Sequence, residues 1–169
     1  MKTILLIIAL SSTNPYTPRN TIQFVVPIIV KESLQVGLDP VLVSAVISLE
    51  SRFMINVIRR GKKGHCDVGL GQIRVRNCDK EKVYKYLDPE NNIKKIVKLI
   101  SRRKYRCEIG DYPEKYCKPH FIQSYNPKRK GYADKILREK RKIEILMKKG
   151  FRNANWREKK NGFNSRGSG

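Results

Sequence analysis

Glu50 closes a run that is otherwise almost wholly apolar: Val41, Leu42, Val43, Ala45, Val46, Ile47 and Leu49 precede it. If that run is helical, Val46 and Ile47 lie one turn behind the carboxyl, and Phe53 lies one turn ahead if the helix continues. Burying an ionised carboxyl is costly unless it is paired or protonated. A hydrocarbon wall of this kind raises the pKa, which is what a general acid working near neutral pH requires. The competing reading is that Glu50 emerges into solvent at the helix end or pairs with Arg52 or another cation.

Cys66, Cys78, Cys107 and Cys117 form the other chemically notable set. An even set in an exported chain reads as two disulfides with three possible connectivities. The pairs Cys66 with Cys78 and Cys107 with Cys117 are favoured, because short loops close most easily. A zinc site drawing on His65 and His120 is the rival, but no CxxC spacing supports it, so no metal is expected. In a reducing compartment four buried thiols would be the reading instead.

These residues need elements to hold them. Asp39-Pro40 offers an N-cap and an N1 proline for the helix from Val41 to about Ser51 that carries Glu50. Before it, Ile22 to Val36 is apolar on one helical face, with Pro27 early and Gly37 placed as a stop. The polar stretch Asn56 to Asp67 reads as loop. Asp88-Pro89 repeats the capping device ahead of a helix with Ile93, Ile96, Val97 and Ile100 at i, i+3, i+4 and i+7. Further helices are expected over Phe121 to Tyr125 and from Gly131 to Lys149, the latter with Tyr132, Ile136, Ile143 and Met147 inward. Strand signals are scarce.

With 169 residues the chain is about one domain, and 40% hydrophobic content supplies a core, which argues against a wholly disordered basic protein. The net charge of +22 draws it to polyanions of any kind. The charge gathers late: Lys128 to Lys160 holds 14 Lys and Arg against Asp134, Glu139, Glu144 and Glu158. A nucleic-acid module would use that charge with Tyr105, Tyr112, Tyr116 and Trp156, but no helix-turn-helix, RNA-recognition or zinc-finger pattern accompanies it. At the other end, Lys2 followed by Thr3 to Leu10 and Ser11-Ser12 reads either as a secretory signal or as a buried N-terminal element.

Glu50-Ser51-Arg52-Phe53, then Gly69-Leu70-Gly71-Gln72-Ile73, then Ser124-Tyr125-Asn126 resembles the ordered motif set of the lytic transglycosylases that cut bacterial peptidoglycan. The likeness runs from about Leu38 to Leu137 and takes in Asp88-Pro89, Asn92-Ile93 and Tyr132-Ala133. It is nearest to the small enzymes of secretion, conjugation and phage-entry machines. Two positions depart from the family pattern: Pro127 follows Asn126 where a small residue is common, and Ile96 stands where glycine is frequent. Both bear on groove shape and packing rather than on the chemistry.

Residues 1–20 read as a signal peptide or anchor and linker, and 150–169 as a basic flexible tail; the signal reading implies export to the periplasm or envelope, or association with a virion if phage-encoded. The resemblance implies a mainly α, goose-lysozyme-like domain over 21–149. It implies cleavage of the bond from N-acetylmuramic acid to N-acetylglucosamine by Glu50 alone, acting as acid and then as base, with a 1,6-anhydro product and no cofactor. Ser51 would orient the site, Gln72 would bond substrate or the catalytic carboxyl, and Tyr125 would steady Glu50, with Gly69, Leu70 and Asn126 also binding the glycan strand. Asp67 is the residue for a hydrolytic alternative: facing Glu50 across a cleft, it could hold a water as a muramidase does, whereas two residues before Gly69 it could also cap a turn. The basic end would tether the enzyme to anionic wall polymer or lipopolysaccharide, or dock it on a partner assembly.

Overall fold

A computed structural model describes residues 2–61, 64–117, 120–126 and 129–164, with side chains described as far as Phe151. Seven α-helices and one small sheet are found among them: α1 Lys2–Thr13, α2 Arg19–Gln35, α3 Pro40–Ser51, α4 Lys80–Leu87, α5 Pro89–Glu108, α6 Glu114–Cys117 and α7 Tyr132–Asn164. The sheet orders β1 Ile58–Arg60, β2 Cys66–Val68 and β3 Ile73–Val75 antiparallel, with β2 central. The mainly helical architecture expected from the sequence is what the chain adopts.

The helix that carries Glu50 is the centre of the domain. Asp39 caps α3 by accepting from the Val41 amide at 2.9 Å, and Pro40 occupies the first turn, where no amide is needed. Every residue from Leu42 to Ser48 is buried, because α2 and α7 both pack on α3. The helix stops at Ser51, with Arg52 and Phe53 both left-handed at φ 55° and 60°. Phe53 is therefore not one helical turn beyond Glu50; it turns back into the core and is fully buried.

The second capping device also operates. Asp88 accepts from the Asn91 amide at 2.8 Å, and α5 buries Asn92, Ile93, Ile96, Val97 and Ile100 along one stripe. In α2 the helix begins at Arg19, so Pro27 falls mid-helix rather than early. Pro27 is exposed, and water can satisfy the carbonyl that its missing amide leaves free. The segment expected as loop contains β1 and the start of β2. Three-residue strands, with β1 exposed throughout, leave no alternation long enough to read. Helix α4 was not foreseen either; its stripe is short, with Val83 and Leu87 packed on the small cluster of Cys66, Val68 and Val75, and Tyr86 on both that cluster and the main core.

The apolar start is a helix here: Leu6, Ala9 and Leu10 of α1 are buried, and α1 packs on α2 and α7. No helix among the described residues is long and apolar enough to cross a membrane. Helix α7 continues past Lys149, the end expected from sequence, to Asn164; residues 165–169 of the basic tail, with Pro127 and Lys128, lie outside the described residues.

Candidate active site

Glu50 stands half-buried at the last turn of α3, on the edge of a cleft of about 300 Å³. Asp67, Gln72, Ile73 and Arg74 of the sheet and its hairpin line one side, Leu99 and Arg103 of α5 another, and Tyr125 and Asn126 a third. The Glu50 Oε1 accepts a hydrogen bond from the Tyr132 hydroxyl at 2.7 Å. Tyr132 is fully buried and lies nearly parallel to Tyr125, ring centroids 6.2 Å apart, and Tyr125 in turn donates to the Gly71 carbonyl at 3.0 Å. A ladder of two phenols thus spans from the carboxyl to the hairpin.

Burial pushes the Glu50 carboxyl above its ordinary value, and the charge of Asp67 adds to the rise. The Tyr132 hydrogen bond, Arg129 and Arg59 oppose it without cancelling it. Burial and the nearby Glu50 charge hold both tyrosines well above the usual phenol range, so each remains a neutral donor. The arrangement holds the proton on Glu50 to higher pH than a free carboxyl would, with a donor in place to receive the anion once the proton has left.

Gln72 is aimed by a four-residue hairpin between β2 and β3. Gly69 turns the chain at φ +67°, and a Cβ there would lie 2.5 Å from the Tyr86 carbonyl. Its own carbonyl accepts from the Gln72 side-chain amide at 2.9 Å, while Gln72 itself is held at φ 48°. A non-glycine residue in that region is strained, and such strain gathers at sites that need a side chain aimed. The amide of Asn92, fully buried on α5, holds the hairpin by accepting from the Gly71 amide at 2.9 Å and donating to the carbonyls of Val68 and Tyr86 at 3.0 and 2.6 Å. Ile96, the departure noted in the sequence, packs on Gly71: a Cβ at 71 would come within 2.2 Å of Ile96 Cγ1. The two residues accommodate one another.

Asp67 faces the same cleft as Glu50 and is not a turn cap. It sits on the central strand directly between Arg59 of β1 and Arg74 of β3. Arg74 Nε donates to it at 3.1 Å, and His65 Nε2 lies 3.9 Å away.

Of the residues expected from sequence, Glu50, Asp67, Gln72, Tyr125 and Asn126 converge on the cleft. Ser51, Gly69 and Leu70 do not line it. Ser51 is buried, with its hydroxyl donating to the Ile47 carbonyl one turn back, so it serves the helix end. Leu70 is core, and Gly69 makes the turn. The hydroxyl bonded to Glu50 belongs to Tyr132, which Tyr125 stacks against and whose role the sequence reading had taken as core packing. Arg103 and Asn92 were also missed. Both continue the apolar stripe of α5, where a polar residue at a core position is the signal that could have found them.

The four cysteines form Cys66–Cys78 and Cys107–Cys117, the pairing that closes the short loops. The sulfurs are therefore not available to zinc, and no cluster of three or more His, Cys, Asp or Glu suited to a metal occurs among the described residues. The first bridge ties β2 to the turn after β3, beneath the hairpin, and the second ties the end of α5 to α6.

Residues 27–141 match the family model described as Transglycosylase SLT domain. No curated protein and no solved structure matches the chain.

Proposed function

The chain belongs to the transglycosylase SLT domain family, whose substrate is peptidoglycan, and from that premise we propose that it is a lytic transglycosylase in which Glu50 is the sole acid and base. The observation that carries the proposal is the half-buried Glu50 carboxyl at the cleft edge, its pKa raised by burial and its anion served by Tyr132. Protonated Glu50 gives its proton to the oxygen linking N-acetylmuramic acid to N-acetylglucosamine, and the bond from C1 to that oxygen breaks. Glu50, now a carboxylate, takes the proton from the muramic C6 hydroxyl. The C6 oxygen closes on C1, leaving a 1,6-anhydro end and the enzyme in its starting state. The sugar's acetamido group stabilises the cationic centre, and no water has to be held.

Gln72 and Asn126, with Tyr125 behind them, supply polar groups along the strand's path. Export fits the reading, because the substrate lies outside the cytoplasm and two disulfides persist in an oxidising compartment. The basic C-terminal end then serves as a tether to anionic wall polymer or lipopolysaccharide, and the motif likeness to secretion, conjugation and phage-entry enzymes extends the proposal to a partner assembly.

Hydrolysis is the second reading, and Asp67 on the cleft wall is what favours it. Against it, Arg74 already occupies the Asp67 carboxylate from the neighbouring strand. The test of the proposal is clearing of purified wall. Glu50→Gln should lower the rate roughly a thousandfold with the circular dichroism spectrum unchanged; a variant that still clears at the wild-type rate removes Glu50 from the chemistry.

A further inference from the structure

Arg103 is a cation in the cleft wall without a counter-ion. Its neighbours on α5 find carboxylates: Lys104 lies 3.8 Å from Glu108, and Arg106 donates to Asp111 at 2.9 Å. Arg103 makes no ion pair or side-chain hydrogen bond among the described residues, and its Nη1 is buried with no partner. What holds it is Tyr125, whose ring centroid lies 5.2 Å from the guanidinium carbon. The side chain is half-buried and lines the same cleft as Glu50. Across that cleft Asp67 is taken by Arg74, and the Gln72 Oε1 is also buried without a partner.

The Tyr125 ring offsets part of the cost of a half-buried guanidinium, but the guanidinium keeps, at its buried Nη1, a donor that an incoming anion could satisfy. Its flat fork suits a carboxylate better than it suits the hydroxyls of a neutral sugar. Wall glycan differs from a plain N-acetylglucosamine polymer in one respect that matters here: alternate sugars carry a lactyl substituent. That group bears a carboxylate itself when bare, or a stem peptide with carboxylates of its own.

We propose that Arg103 is a specificity residue that pairs with a carboxylate on the lactyl substituent of the muramyl sugar, so that the cleft selects wall glycan over neutral glycan. The inference rests on the reading of the cleft as a glycan site. Tyr125 has a second task in it, presenting the guanidinium while it also holds the hairpin through Gly71.

Binding is measured by calorimetry on Glu50→Gln protein, so that cleavage does not enter. Three probes are used: peptide-bearing glycan strands, amidase-stripped strands with free lactyl carboxylates, and a neutral N-acetylglucosamine hexamer. At least one carboxylate-bearing probe should bind about tenfold or more tightly than the hexamer, as a charge-assisted pair implies. Which probe shows the gap identifies the lactyl or the stem-peptide carboxylate as the partner. Arg103→Met should close the gap, Arg103→Lys should restore part of it, and the exposed neighbour Arg102→Met, with the same loss of charge, should leave it. Equal weakening toward all three probes by Arg103→Met, or an equal effect of Arg102→Met, overturns the proposal. If the wild-type protein binds with this selectivity yet leaves wall uncut, the catalytic reading fails and Arg103 keeps its role.

Discussion

The phenol of Tyr132 donates to the carboxyl of Glu50 at 2.7 Å, bridging 82 positions of sequence and joining the first turn of α7 to the last turn of α3. The bond favours the ionised carboxyl, whereas burial favours the protonated one, and burial is the larger influence. Glu50 is thereby tuned from two sides rather than merely hidden.

Removing that hydroxyl has a predictable sign. Tyr132→Phe takes away a group that lowers the Glu50 pKa, so the pKa rises further. Cleavage that needs protonated Glu50 falls off as pH passes that value, and the falling limb of the pH profile should move to higher pH. The rate at the optimum should drop about tenfold or more, because the departing proton leaves a carboxylate with no donor. An unmoved limb would show that the bond does not act on the catalytic group.

Stability should respond to pH at the same residue. The folded-state pKa of Glu50 lies above its ordinary value of 4.5, so its contribution is fully present below that value and is lost as pH rises through the folded pKa. Glu50→Gln escapes the loss. Thermal unfolding should find the variant and wild type alike at pH below the ordinary carboxyl value, and the variant increasingly the more stable as pH rises. A variant less stable at every pH would contradict the assigned cause.

Asn92 is the residue on which the hairpin depends. Asn92→Ala strips partners from the Gly71 amide and from the Val68 and Tyr86 carbonyls. Stability measured in denaturant should fall by about 3 kcal/mol, with wall cleavage reduced at temperatures where the variant is still folded. Retention of full activity would mean that Gln72 needs no such support.

The two disulfides should separate in their effects. Each closes a short loop, of sequence separation 12 for Cys66–Cys78 and 10 for Cys107–Cys117, and losing either should cost about 3 kcal/mol. Replacing Cys66 and Cys78 by Ser should also lower kcat, because that bridge anchors the strand bearing Asp67 and the hairpin bearing Gln72. The second pair should change stability with little effect on kcat.

How much of this was legible follows from how far each signal reaches along the chain. The Asp39-Pro40 and Asp88-Pro89 caps, the α5 stripe and the buried α3 are local patterns, and the structure keeps them. The convergence of Glu50, Gln72 and Tyr125 was carried by motif order, not by any periodicity. The sheet was hidden because its strands are three residues long and held partly by Asn92, which is distant in sequence. Tyr132 was hidden for a related reason: at the start of an amphipathic helix an inward tyrosine looks like packing until the carboxyl it meets is known. Ser51 misled in the other direction, since adjacency to Glu50 in sequence puts it on a different face of α3, where it bonds Ile47.

The account stands most directly on whether water enters the product. Peptidoglycan digested in heavy-oxygen water and read by mass spectrometry should yield muramyl ends one water lighter than a hydrolysed end, free of label, with Glu50→Gln yielding none. New reducing muramyl ends, formed in step with cleavage and in place of anhydro ends, would contradict it and favour the hydrolytic reading.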